Sequence, residues 1–213
     1  MKERPILYSA PMVRAILAGK KTMTRRVIKP QPIWVADPHV PFRTNDADPD
    51  GIIPCPYGKP EDRLWVREAF RFAASLDRHS PKNVGIKCLD AGYKTPWAPT
   101  QYEADGARKG SWDGFNTPPV ITTPGKLRPS MFMPRWASRI TLEITGVRVE
   151  RLNDISEEDA RAEGCSGGHD SIPDYPYSAT PNEHFLWIWE SINGAGSWNS
   201  NPWVWVVEFK RVF

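Results

Sequence analysis

The chain has 213 residues, 40% of them hydrophobic, and a formal net charge of +3 at pH 7, which excludes the strongly basic class of general polyanion binders. Its length suits one large domain, or a small domain with long insertions. The three cysteines and four histidines lack zinc-ligand spacing, and so sparse a set of cysteines favours a reducing compartment.

The N-terminal residues predict a cytoplasmic protein that begins with a helix. The stretch MKERPILYSAP has no apolar core of signal-peptide length, and no later run has membrane-spanning length, so we expect no membrane partner. Residues 9–20, SAPMVRAILAGK, predict a helix, because Pro11 suits a first turn, apolar residues recur at helical spacing and Gly19 is a natural C-terminal cap. The following TMTRRVI predicts an extended strand that ends before Pro30.

The middle of the chain combines strand patterns with long loops. Residues 30–60 are dense in Pro, Asp and Gly and predict a long loop, after which DRLWVREAFRF predicts a strand with Glu68 on an apolar face. Residues 74–130 again predict loops, with one short strand within GYKTPWAPTQYEADG. Such long loops in a compact domain are usually functional or are insertions. SRITLEITGVRVERL then predicts a strand with a bulge or turn at Gly146.

The C-terminal part holds the clearest helix and strand patterns. DISEEDARAEG predicts a short helix that begins after Ser156 and stops at Gly164. TPNEHFLWIWESINGAG predicts a longer helix in which Thr180 and Glu183 form a capping box. Its apolar stripe comprises Phe185, Leu186, Trp189 and Ile192. NPWVWVVEFKRVF predicts a final strand, and because strands and helices do not alternate, the order favours an α+β fold with an antiparallel sheet or small β-barrel.

The stretch LAGKKTMTRRVIKP, residues 17–30, combines cations and threonines and allows three functional interpretations. A phosphate-binding loop is excluded, because that motif needs a glycine where Arg14 stands and opens a helix rather than following one. A nucleic-acid patch would use the cations as phosphate contacts. The charges can equally belong to a solvated strand edge, which composition alone favours. The cations are Lys20, Lys21, Arg25, Arg26 and Lys29.

The third interpretation of this stretch is catalytic and needs an activated hydroxyl. Threonine is a weak nucleophile until a base takes its proton, and lysine can be that base where burial or nearby cations lower its pKa. Lys21 and Thr24 supply these residue types. They point to opposite faces of an ideal strand, so a turn just after Gly19 would have to bring them together.

The spacing Gly19-x-Lys21-x-x-Thr24-x-Arg26 resembles the signature of ASCH domains, a family with a PUA-like fold, which is a small β-barrel flanked by helices. Three further blocks follow in family order, EDRLWVREAF, LNDISEEDARAEG and VWVVEFKRVF, while RPSMFMPRWASRI is similar to the larger, phage-associated members. The resemblance implies a single domain over 1–213, with insertions at about 31–60 and 74–128.

Small bacterial members of this family are amidohydrolases that remove the acyl group from N4-acetylcytidine. Carried over residue by residue, the resemblance implies that Lys21 is the base, Thr24 the nucleophile and Glu163, in EEDARAEG, the third catalytic group. Backbone N–H groups or Arg26 would stabilise the oxyanion. The resemblance implies no metal and no other cofactor. By pattern alone, Glu163 can equally be an exposed residue at the end of a short helix.

The implied substrate is a small modified nucleoside or base, held by an aromatic ring and a few polar groups. Four candidates for binding it are Arg26, Trp65, Glu68 and Trp136. Other roles stay open, because Glu68 can pair with a neighbouring arginine such as Arg67 or Arg71, or face solvent, and Trp136 can be a core residue. Lys20, Thr22 and Arg25 are then ordinary surface residues.

A different function class also fits the resemblance. Other members of the family are proposed to bind or cleave RNA, so the fold does not settle the chemistry. The alternative to an amidohydrolase is therefore a non-catalytic or ribonucleolytic RNA-binding module, with RNA as its partner.

Overall fold

The computed structural model describes residues 1–32, 53–110 and 123–212. It is a mixed α+β structure, as the order of patterns predicted. Most of the loop predicted for residues 30–60 lies outside the described residues, as does the part of the 74–130 stretch from 111 to 122. Within the described ranges, no helix is both long and apolar enough to cross a membrane.

Four helices and eight strands account for most of the regular structure in the described part of the chain. The helices are α1 (Ala10–Leu17), α2 (Pro81–Asp90), α3 (Glu157–Ala162) and α4 (Pro181–Asn193). The strands are β1 (Glu3–Leu7), β2 (Met23–Val27), β3 (Arg63–Arg67), β4 (Phe70–Phe72), β5 (Thr100–Tyr102), β6 (Arg108–Lys109), β7 (Thr141–Arg151) and β8 (Trp203–Arg211).

The strands form two sheets. Five of them hydrogen-bond in the order β1-β3-β7-β8-β2, and β4, β5 and β6 form a second sheet in that order. The pairs β2–β8, β7–β8, β4–β5 and β5–β6 are antiparallel, as predicted. The PUA-like β-barrel is a finer statement than this order of strands and stays a prediction.

Residue contacts divide the chain into two compact units. Unit 1 comprises residues 1–2, 15–63 and 142–212, and unit 2 comprises 3–14 and 64–141, as far as they are described. The single domain expected from the resemblance stays a prediction.

In unit 1, β8 pairs with β2 on one side and β7 on the other. Thr24 lies opposite Val207 and Arg25 opposite Val206, and the pairing of β2 with β8 has no register shift from Met23 to Val27. The register of β7 on β8 shifts between Ile144 and Gly146, which confirms the predicted irregularity at this glycine.

Helix α4 covers one face of this sheet. Its predicted capping box is present, with Thr180 accepting from the Glu183 backbone N–H and the Glu183 carboxylate accepting from that of Thr180. Phe185 and Trp189 are buried in a core that includes Val204, Val206 and Leu152. The predicted apolar stripe is wrong at one position: Ile192 is 57% exposed, whereas Ile188 packs partly against the core. Ile192 belongs to the last turn of the helix, beyond the contact with the sheet.

Unit 2 has its own core, formed by the second sheet, α2 and two short turns. The buried members of this core are Phe70, Phe72, Val84, Ala98, Tyr102, Met133 and Ala137. The loop prediction for 74–130 is wrong over residues 81–90, which form α2. Ser80 caps this helix by accepting a hydrogen bond from the Asn83 N–H, and Pro81 occupies its first position, so the Ser-Pro pair was the available signal.

Candidate active site

Lys21 is positioned by the C-terminus of α1. Gly19 adopts φ 70°, and its N–H donates to Ile16 O at 3.0 Å, while the Lys20 N–H donates to Ala15 O at 2.8 Å. These two bonds form a Schellman motif, in which a glycine of positive φ turns the chain out of the helix. The Lys21 N–H donates to Ala15 O as well, at 3.1 Å. A turn is therefore present at Gly19 and Lys20, immediately before Lys21.

Glu163 is positioned by the same device at the end of α3. Gly164 adopts φ 93°, its N–H donates to Arg161 O at 2.9 Å, and the Cys165 N–H donates to Ala160 O at 2.9 Å. Ala160 and Cys165 are both buried in the core of unit 1, which supplies the apolar contact typical of this motif. The predicted stop at Gly164 is confirmed.

The two helix ends meet, and the two side chains meet with them. Lys21 and Glu163 form an isolated antiparallel bridge, with the Thr22 N–H donating to Ala162 O at 2.8 Å. Lys21 Nζ donates to Glu163 Oε2 at 2.5 Å and to Glu163 O at 2.9 Å. The side chains are only 1% and 5% exposed. The possibility that Glu163 is an exposed helix-end residue is thereby wrong, because α3 packs its last turn against this bridge.

Burial controls the electrostatics of this pair. Withdrawal from water lowers the pKa of Lys21, and this effect outweighs the opposing attraction and hydrogen bond of Glu163, while the charge of Arg26 lowers it further. The neighbouring Cys165 thiol has its pKa raised to about 12 by burial. A lysine whose pKa is lowered holds a larger neutral fraction, which is the form that can accept a proton.

Thr24 lies three residues further along, within β2. It is 1% exposed and, by strand alternation, lies on the face of β2 opposite to Met23 and Arg25. The structure therefore joins Lys21 to Glu163 directly and places the buried Thr24 in the strand that follows.

Arg25 is the principal site-forming residue that the sequence interpretation missed. Its assignment as a surface residue is wrong, because its side chain is completely buried. Its guanidinium donates from Nη2 to Glu150 Oε2 at 2.9 Å and to Asp159 Oδ2 at 2.5 Å. Its Nη1 lies 3.6 Å from Glu163 Oε1, an oxygen that otherwise lacks a hydrogen bond in the described structure. Arg25 thus connects the Lys21–Glu163 pair to a larger charge network.

Arg148 extends this network across the sheet. It donates to Asp159 Oδ2 at 2.8 Å and also pairs with Glu150 and Glu208. The buried charges of Arg25 and Glu163 are tolerable because both are paired, whereas Arg148 and its carboxylate partners are partly open to solvent. Strand alternation was the signal for Arg25, since it places this residue on the core face with Met23 and Val27.

Arg26, the last residue of the motif, is half-buried. Its Nη1 donates to Arg25 O at 3.4 Å. It also lies near Tyr57, whose pKa is raised by burial and lowered in part by the Arg26 charge and hydrogen bond. Alternation places Arg26 on the same face of β2 as Thr24.

The other three candidates for substrate binding belong to unit 2. Trp65 is buried, with the Arg67 guanidinium 4.8 Å from its ring centre. Glu68 is buried and accepts from Arg139 Nε and Nη2, each at 2.9 Å, so Arg139 is its partner rather than Arg67 or Arg71. Burial raises the pKa of Glu68 against the effect of this pairing.

Trp136 is partly buried and stacks on Phe72, with ring centres 5.5 Å apart and planes 7° apart. Trp136 therefore packs against the core of unit 2, the alternative role that the sequence allowed for it. Residue by residue, the structure therefore brings together Lys21 and Glu163, and places Thr24 and Arg26 in the strand that follows Lys21.

Two further observations bear on the site. In the described ranges, no group of three or more His, Cys, Asp or Glu side chains is arranged to hold a metal ion. Comparison with family models, with curated proteins and with solved structures finds no match to this chain.

Proposed function

We propose that the chain is an ASCH-type, PUA-like amidohydrolase that cleaves the N4-acyl amide of N4-acylcytidine-type nucleosides or bases. The observation that carries this proposal is the buried Lys21, hydrogen-bonded by Glu163 and lying three residues before the buried hydroxyl of Thr24. A lysine, a carboxylate and a hydroxyl are groups that nucleophilic acyl transfer can use.

In the acylation step, neutral Lys21 takes the proton of Thr24 as the hydroxyl oxygen attacks the acyl carbonyl carbon. The tetrahedral intermediate then expels the N4 amine, which takes its proton from the Lys21 ammonium. Water next attacks the acyl-threonine, giving its proton to Lys21. Collapse of that second intermediate releases the free acid and restores the Thr24 hydroxyl. The proton count on Lys21 is unchanged over the cycle.

Glu163 acts by positioning and by charge. It accepts from Lys21 Nζ through both its backbone carbonyl and its carboxylate, which fixes the direction of the amine. Its negative charge stabilises the ammonium that forms while Lys21 holds the proton. Glu163 is thus a positioning residue in this mechanism, and Lys21 and Thr24 are the catalytic residues.

The remaining roles follow the family resemblance. Arg26 lies on the face of β2 that bears Thr24 and is proposed to stabilise the oxyanion. Trp65, Glu68 and Trp136 stay predictions for binding the cytosine ring. Arg139 and Phe72 already engage two of these three side chains.

The direct test is incubation of the purified chain with N4-acetylcytidine, with release of cytidine followed by ultraviolet absorbance. Lys21→Ala and Thr24→Ala are each expected to lower the rate by roughly a hundredfold or more. The chain supplies matched controls, because the exposed Lys20 and Thr22 adjoin the buried pair. Lys20→Ala and Thr22→Ala should retain the wild-type rate.

Two outcomes count against the proposal. Absence of cytidine release by folded protein, over a panel of N4-acyl chain lengths, rejects the amidohydrolase. Full activity in either Lys21→Ala or Thr24→Ala rejects the mechanism while leaving the activity. If the protein instead binds oligoribonucleotides with an affinity that falls steeply with salt and shows no turnover, the RNA-binding alternative is favoured.

A further inference from the structure

Unit 2 carries a surface groove whose lining shares only Trp136 with the residues proposed for catalysis and substrate binding. It has a volume of about 500 Å³ and runs between α2 and the segment 131–134. Its lining includes Arg67, Lys82, Ile86, Leu89, Met131 and Phe132.

The rim of this groove exposes large apolar side chains. Ile86 and Leu89 of α2 are 46% and 45% exposed, and on the opposite side Met131 and Phe132 are 59% and 56% exposed. Single exposed apolar residues are ordinary, but four around one groove are the kind of patch that marks an interaction site. Because both walls are half open to solvent, the groove suits an elongated segment rather than an enclosed small ligand.

The charged groups of the groove all have the same sign. Arg67 and Lys82 are its only ionisable lining residues in the described structure, and the positive end of the α2 dipole lies beside Lys82 at Ser80 and Pro81. Nothing acidic lines the described groove. Charge complementarity therefore calls for an anionic occupant.

Arg67 is the partly buried cation of the groove. Its Nε is buried and has no acceptor among the described residues, and its guanidinium rests over the Trp65 ring at 4.8 Å. The Arg67 side chain as a whole is only partly buried and lines the groove, so its guanidinium can meet a carboxylate of a partner, the group with which Arg pairs most strongly.

We propose that this groove binds a short acidic segment of a partner protein, with aliphatic or aromatic side chains along α2 and a carboxylate toward Arg67 and Lys82. Nucleic acid suits it less well, because two cations line it and its walls are largely aliphatic, whereas single-strand binding uses a row of cations and aromatic platforms.

The test is selection of a random-peptide display library on the full chain, with counter-selection on the double variant Lys82→Glu/Phe132→Ser. The expected peptides combine Asp or Glu with Leu, Phe or Trp. Measured by fluorescence anisotropy, their affinity should fall roughly tenfold or more in Lys82→Glu and in Phe132→Ser taken singly. Lys109→Glu and Ile192→Ser, exposed residues outside the groove, are matched controls and should bind as the wild type does.

Several results would overturn this proposal. The first is that no peptide is enriched on the wild-type chain relative to the double variant. The second is that the enriched peptides are basic or uncharged. The third is that the groove variants and the control variants bind the peptides equally well. Binding of a single-stranded oligouridine that is lost in Lys82→Glu and Phe132→Ser would assign the groove to RNA instead. None of these readouts depends on the amidohydrolase, so the two proposals fail independently.

Discussion

The mechanism makes the charge state of Lys21 measurable through activity. In the proposed mechanism Lys21 must be neutral to accept the Thr24 proton, and burial lowers its pKa. We therefore predict that kcat/KM for N4-acetylcytidine rises with pH along a limb whose midpoint lies below about 10.4, the ordinary value for lysine. Glu163→Gln removes the carboxylate that raises the Lys21 pKa, so the midpoint should move to lower pH.

This second effect separates positioning from mere structural support. A general loss of fold in Glu163→Gln lowers the rate at every pH without moving the midpoint. An unchanged midpoint, or a shift to higher pH, would contradict the electrostatic role of Glu163.

Arg25 makes a prediction about stability. Its side chain is completely buried between Glu150 and Asp159, with Glu163 at 3.6 Å. Arg25→Met removes one of two cations from each of these three carboxylates, which keep Arg148 or Lys21. Breaking a buried pair typically costs about 3–5 kcal/mol in the free energy of unfolding, and this sets the upper bound for the loss. Urea denaturation followed by circular dichroism measures the loss.

The matched control for Arg25 is on α3. Arg161 pairs with Glu157 one turn away, at 2.9 Å, but both side chains are more than half exposed. Arg161→Met should therefore cost only about 0.3–0.5 kcal/mol. Equal effects of the two substitutions would mean that the buried network contributes no more than a surface pair.

At the level of single residues, the motif named two side chains that meet, Lys21 and Glu163, whereas residue type mispredicted the burial of Arg25. Lys21, Thr24 and Glu163 were chosen because the motif resembles a family signature, and the structure then placed Lys21 against Glu163. Arg25 was missed because arginine is rarely buried, so its residue type outweighed its position on the core face of β2. Its partners Glu150 and Asp159 come from distant parts of the chain, which no local pattern reveals.

At the level of elements, the joint between α1 and α3 depends on Gly164. A Cβ added there would lie 3.2 Å from Ala15 Cβ and 3.4 Å from Lys21 Cβ, and φ is 93°. We predict that Gly164→Ala is destabilising for two reasons, backbone strain of about 1–2 kcal/mol and displacement of the Lys21 segment. Thermal unfolding and the rate with N4-acetylcytidine are the measurements.

Gly168 separates the two causes. It has a similar φ of 101°, but a Cβ there meets nothing within 4 Å. Gly168→Ala should show the strain alone and keep its activity, whereas Gly164→Ala should lose more stability and lower the rate. If both variants show the same stability and the same rate, the close approach of the helix ends does not contribute to activity.

The elements that the sequence predicted are those with local signals. The caps of α3 and α4 could be predicted because the side chains of Ser156, Thr180 and Glu183 form hydrogen bonds to the backbone within one turn. Helix α2 was missed because PKNVGIKCLD contains proline, asparagine and glycine, which lower helix propensity. Its stability comes from packing, since Gly85 lets Trp136 approach to 3.0 Å of the site a Cβ would occupy.

At the scale of the whole molecule, the order of helix and strand patterns in the sequence predicted the α+β fold class, but it did not predict which strands pair. Strand β8 lies next to β2, which is about 180 residues away in sequence, and nothing local in either strand encodes that choice. The larger sheet has its strands in the order β1-β3-β7-β8-β2, so strands from the beginning and the end of the chain belong to the same sheet. Register, by contrast, follows once the pairing is known, because Met23, Arg25 and Val27 must face the core.

Burial of Lys21 also links folding of the molecule to pH. The folded pKa is lowered, so between that value and the unfolded pKa near about 10.4 the unfolded chain holds a proton that the folded chain has lost. Stability therefore rises with pH across this window, with a slope of up to about 1.36 kcal/mol per pH unit for one proton. Below the folded pKa both states are protonated, and this contribution to the slope disappears.

We predict that Lys21→Met makes the slope of unfolding free energy against pH less positive in that window, whatever its effect on stability at neutral pH. Lys20→Met, which removes an exposed neighbouring charge, should leave the wild-type slope. Urea denaturation at a series of alkaline pH values gives the slopes. Equal slopes in the wild type and Lys21→Met would show that Lys21 keeps its ordinary pKa in the folded chain, and a neutral lysine base would then be untenable.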